Sequence, residues 1–214
     1  VLERERVQGE VFDATLSGNI IDATSRYNLA NLAQNRVIDP DQLAIYKQLL
    51  TNLRLDPALA QRTAVAVAQA QVLQPNAAPP SGGGGAGTPA PQVPASTDAP
   101  VRMMQVDDLL ALPGYTLEVV NRLREFVIVL PEHTTVNVNT AAPEVLAAVV
   151  ENLSVGAAGS LVARRKSAPW RDIAYFSTDV APATVRANSV GVKSDYFLVL
   201  SRIRLDRAAL DAEA

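Results

Sequence analysis

The sequence predicts an α+β protein: a small antiparallel sheet domain, built from both ends of the chain, carrying a large all-helical insertion. Two observations point there. Loosely alternating, β-rich runs occupy both ends of the chain, which suits strands of a half-exposed sheet. Between them lie apolar-periodic segments with helix-start signals. The expected division is residues 1–36 with 179–214 as the sheet domain and 37–178 as the helical insertion. Within the insertion, residues 74–100 are expected to be a disordered Pro/Gly-rich loop, because seven prolines and five glycines leave almost nothing to bury.

Taken in order, Leu2-Glu3-Arg4-Glu5-Arg6-Val7 reads as the tail of an amphipathic helix. Such a start fits the soluble part of a membrane-anchored protein and equally an ordinary trimmed chain. Residues 9–28 set Val11, Ile20, Ile21 and Tyr27 among Thr, Ser, Gly and Asn, as one or two strands would. Asp39-Pro40-Asp41 opens a helix through Leu53, and Asp56-Pro57 opens another through Val72. After the loop, residues 106–116 hold a Leu112-Pro113-Gly114 turn that runs into a helix over 117–126. Val136-Asn137-Val138-Asn139 is extended, with both asparagines on one face and both valines packed on the other. Thr140 is placed to cap the next helix, Pro143 falls in its first turn, and Glu144 complements its dipole. Ser154 caps a second helix through Arg165, covered by Pro169, Trp170, Ile173 and Phe176. Residues 185–192 and 196–205 are expected to pair as a hairpin around Lys193-Ser194-Asp195.

Composition excludes several functions. The net charge is −3 and the pI about 5.2, so no basic field gathers nucleic acid. There are no cysteines, which removes disulfides, thiol catalysis and thiolate metal sites. The single histidine, His133, lies in a polar connection and has no second histidine to complete a zinc site or a triad. No nucleophile–base pair, phosphate loop or metal-ligand spacing is present, so the sequence offers no catalytic, cofactor or metal residue.

The pairs of short helices around 106–126 and 140–165 look like helix-hairpin-helix units, best known for holding DNA phosphates. Here Asp107 and Asp108 precede the Pro113-Gly114 turn, and the second hairpin, Asn152-Leu153-Ser154, has no Gly-x-Gly. The basic run Arg164-Arg165-Lys166 with Arg171 reads as a solvated helix end. Hairpins that only pack helices are the favoured reading, and a nucleic-acid-binding helix-hairpin-helix protein is the alternative.

Four segments in this order resemble the K-type minor pseudopilins of bacterial type II secretion systems. Residues 22–32, Asp-Ala-Thr-Ser-Arg-Tyr-Asn-Leu-Ala-Asn-Leu, are similar to that family's Asp-x-x-Gly-Arg-Phe-Asn-Leu-Asn-x-Leu, with Ser25 and Ala30 departing from it. Residues 106–116 match its Val-Asp-x-Leu turn, and 136–141 are close to its Val-Asn-Val-Asn-Thr-Ala run. Ser194-Asp195-Tyr196-Phe197 with 202–205 resembles its final strand. The resemblance implies a non-enzymatic pilin-like protein at the tip of a periplasmic pseudopilus, in a heteromeric complex with other minor pseudopilins. It implies no nucleic-acid partner and an N-terminal anchor at the periplasmic face of the inner membrane. Assembly is expected through Leu2 to Val7, whereas Pro113, Gly114, Asn137, Asn139 and Thr140 have architectural roles. Calcium binding in the family goes with an acidic loop. In the corresponding residues 64–100 Asp98 is the only acid, so no cofactor is expected there. Asp13, Asp22, Asp39 and Asp41 read first as solvated carboxylates.

Overall fold

The computed structural model describes residues 2–7, 10–71, 102–205 and 208–213. The expected loop over 74–100 lies outside the described residues. In chain order the strands and helices are β1 (Leu2–Val7), β2 (Glu10–Asp22), β3 (Tyr27–Asn28), β4 (Ala33–Gln34), β5 (Val37–Ile38), α1 (Pro40–Asn52) and α2 (Leu59–Gln69). Next come α3 (Leu117–Leu123), β6 (Val127–Ile128), β7 (Val136–Asn137), α4 (Pro143–Val149), β8 (Val150–Glu151) and α5 (Val155–Arg165). The chain continues with α6 (Ile173–Val180), β9 (Thr184–Val185), β10 (Val190–Gly191), β11 (Phe197–Leu205) and β12 (Ala208–Glu213).

Two units result, Val1–Ala23 with Ser194–Ala214, and Thr24–Lys193. The first is a four-stranded antiparallel sheet in the order β1-β2-β11-β12. Its long central pairing sets Asp22 opposite Phe197 and Ala14 opposite Leu205. The division falls at 23/24 and 193/194 rather than at 36/37 and 178/179. Burial explains the shift: Tyr27, Leu29, Leu32, Val180 and Val190 all enter the core of the helical unit.

Two further expectations change. Leu2–Val7 is strand β1, with Leu2 opposite Thr15 and Val7 opposite Glu10, not a helix tail. Pairing with β2 along the whole segment satisfies the backbone groups that face it. Residues 190–191 form no hairpin with β11. They pair in parallel with β7, where Val190 is buried, while β2 and β12 occupy both edges of β11. Strand β12 has no signal in the sequence, since Ala-Ala-Leu-Asp-Ala-Glu has little β preference.

The helical unit has one continuous core, centred on Tyr27, Ile45, Tyr46, Leu49, Leu50, Leu109, Val120, Leu123, Leu146 and Phe176. Asp39 caps α1 by accepting from the N–H groups of Asp41 and Gln42, and Pro40 occupies the first turn. Tyr27 stacks on Tyr46 with ring centroids 5.8 Å apart. The β4–β5 hairpin turns through Asn35 and Arg36, both with positive φ, as a two-residue primed turn requires. Gln71 fastens that turn: its side-chain oxygen accepts from Arg36 N–H, and its amide donates to the Ala33 carbonyl.

The hairpin units differ in detail from the expectation. In the upstream one the first arm, Val106–Ala111, is a 3-10 turn, and the second arm is α3, which ends at Leu123. In the downstream one Ala142, not Thr140, is the N-cap of α4. Pro143 and Glu144 do occupy its first turn, and Ser154 caps α5 through the Ala157 N–H. The residues expected only to cover this hairpin, Ile173 and Phe176, begin a full helix, α6, capped by Asp172.

Candidate functional site

The extended run stops at Asn137. The chain then turns over 138–140, so the two asparagine side chains do not form one stripe. Asn137 is buried, and its Oδ1 accepts from the Asn139 N–H at 3.0 Å, closing the turn. Its carbonyl accepts from the N–H groups of Thr140 (3.2 Å) and Ala141 (2.9 Å), and Thr140 Oγ1 also points to it at 3.4 Å. Asn139 does different work. Its Nδ2 donates to the Trp170 carbonyl at 2.8 Å, and its Oδ1 accepts from the Trp170 N–H at 2.9 Å. One amide thus satisfies both backbone groups of a residue 31 positions away, between α5 and α6. Val136 and Val138 are buried as expected.

The same device occurs upstream, at an asparagine with no role foreshadowed by the sequence. Asn31 Nδ2 donates to the Thr134 carbonyl (2.7 Å), and Asn31 Oδ1 accepts from the Thr134 N–H (3.0 Å). Asn28 follows Tyr27 as Asn137 follows Val136, and its Oδ1 accepts from Ala30 N–H two residues on. That oxygen also accepts from Leu130 N–H, while Asn28 Nδ2 donates to the Glu132 carbonyl. Both asparagine pairs lie beside short parallel pairings, β3 with β6 and β10 with β7. The available signal was the Tyr-Asn-Leu-Ala-Asn run itself.

Pro113 and Gly114 form a tight turn closed from outside. Gly114 has φ +92°, and a Cβ there would lie 2.4 Å from an Arg62 guanidinium nitrogen and 3.0 Å from Leu59. That Arg62 nitrogen donates to the Pro113 carbonyl at 2.9 Å. The turn therefore meets an arginine of α2.

The basic run closes α5 as a largely solvated helix end, with Arg164, Lys166 and Arg171 exposed, but two of its arginines are also engaged within the unit. Arg165, half-buried, donates to the Val138 carbonyl at 2.7 Å, and burial lowers its pKa. Arg164 pairs with Asp179 and lies 5.9 Å over the Trp170 ring. The Trp170 indole N–H donates to the same Asp179 at 2.6 Å, and its ring meets Phe176 edge-on. Two of the cations that a phosphate track would need are thus engaged within the unit. In the upstream hairpin Asp107 pairs with Arg124, and Asp108 accepts from the N–H groups of Met104 and Gln105.

The polar interior also holds a tyrosine network. Tyr46 and Tyr115 share a hydrogen bond of 2.9 Å, and Tyr115 meets the Thr63 hydroxyl at 2.6 Å. Burial drives the pKa of Tyr27 and Tyr46 well above the usual phenol value, and raises that of Tyr115. His133 is exposed, its Nε2 3.2 Å from the Ala33 carbonyl. Among the described residues no group of three acids or histidines is placed to hold a metal ion. Leu2 and Val7, expected on a helical partner surface, are instead the ends of β1. One face of the sheet aligns Leu16, Ile203 and Leu210 in one row and Ile20 with Val199 in another. These five are 39–68% exposed. No helix among the described residues is long and apolar enough to cross a membrane.

A four-stranded antiparallel sheet with a large helical unit inserted between β2 and β11 defines an α+β class of protein. Residues 25–132 match the family model described as Type II secretion system (T2SS), protein K, and residues 136–195 match a second model of the same description. The chain belongs to that family, the K-type minor pseudopilins. No curated protein matches it. Its fold is similar to a chain in the crystal structure of the GspK-GspI-GspJ complex from the enterotoxigenic Escherichia coli Type 2 Secretion System. That likeness has 18% identity and a TM-score of 0.63, covering 100% of this chain and 76% of that one.

Proposed function

We propose that this chain is the tip subunit of a periplasmic pseudopilus, a non-catalytic protein that assembles with two smaller minor pseudopilins during type II secretion. The observation that carries the reading is the family match running through both hairpin units, from residue 25 to 195 with a three-residue gap. The fold neighbour comes from a complex with two further chains, GspI and GspJ, which supports partners of that kind here. The physical form agrees. A filament grows by repeating one head-to-tail contact, and a subunit whose bulk is a 24–193 insertion ends such a series rather than extending it. In this reading the protein acts at the periplasmic face of the inner membrane, held there by an N-terminal helical anchor. Its polar interior groups serve to hold segments together, and neither an ion nor a nucleic acid is needed for its role.

Deletion of the gene in its own host, followed by complementation, tests the proposal. Loss of type II secretion with the cargo retained in the periplasm, restored by the intact gene, is the expected result. Normal secretion in the deletion strain contradicts it.

A further inference from the structure

We draw no further inference here: the strongest candidate, the exposed apolar face of the four-stranded sheet formed by Leu16, Ile20, Val199, Ile203 and Leu210, is an unpartnered surface, and nothing in the structure shows what covers it.

Discussion

Replacing Asn139 with alanine removes one amide and strands two backbone groups, the N–H and the carbonyl of Trp170. A buried group left without its partner costs about 1–3 kcal/mol. Asn139 is half-buried, so water reaches part of the site and the lower end applies to each group, roughly 2 kcal/mol in all. In a unit of this size each kcal/mol moves Tm by about 2–4 °C, which gives a loss of about 4–8 °C. Asn139→Asp is informative beside it. The carboxylate still accepts from Trp170 N–H, but it loses the donor to the Trp170 carbonyl and sets negative charge against that oxygen. It is expected to destabilise at least as much as alanine. Thr140→Ala, at an exposed position outside the α4 cap, is expected to cost under about 0.5 kcal/mol. Differential scanning calorimetry of the three variants reads this order directly. An Asn139→Ala protein with unchanged Tm that fails to bind its partners would make the run a recognition site and refute the reasoning.

Other outcomes follow from the same geometry. Asn31→Ala strands both backbone groups of Thr134 and is expected to lower Tm by an amount similar to Asn139→Ala, checked by the same calorimetry. Gly114→Ala combines a positive φ with a Cβ that displaces Arg62, and is expected to cost about 1–3 kcal/mol in urea unfolding. With Arg62→Ala added, the closest clash is relieved, and what remains is the backbone strain, the close approach to Leu59 and the lost Arg62–Pro113 hydrogen bond. Alkaline pH exposes the tyrosine network. The folded pKa values of Tyr27, Tyr46 and Tyr115 are raised, so their contribution is complete below the unfolded value of about 10 and is lost as pH climbs towards the folded values. In an absorbance titration these three phenols are expected to ionise only with unfolding, and early, reversible ionisation of all five tyrosines contradicts that.

What was legible in the sequence was mainly local chemistry. Asp39-Pro40, Pro143-Glu144 and Ser154 mark helix starts because capping needs only residues within one turn. Pairing partners were less legible, since β10 could join β11 or β7, and the burial of Val190 and the occupied edges of β11 decide between them. Two-residue parallel bridges such as β3 with β6 are too short for a period to register. Thr140 failed as a cap because Asn137 closes the turn first, and the helix begins two residues later. For the asparagines, the residue types were readable and their partners were not. Asn139 meets Trp170 and Asn31 meets Thr134 across 31 and 103 positions, distances over which sequence spacing carries no geometry. The exposure of most of the basic run was legible, whereas the acceptors of Arg165 and Arg164, the Val138 carbonyl and Asp179, do not announce themselves.

The central claim is assembly, and mass reports it most directly. Purified chain is mixed with the two smaller minor pseudopilins of the same secretion system and run on size exclusion with light-scattering detection. One peak is expected, whose mass is the sum of one copy of each subunit. Three separate peaks at the masses of the individual proteins, at concentrations of tens of micromolar and with the chain fully folded, would contradict it.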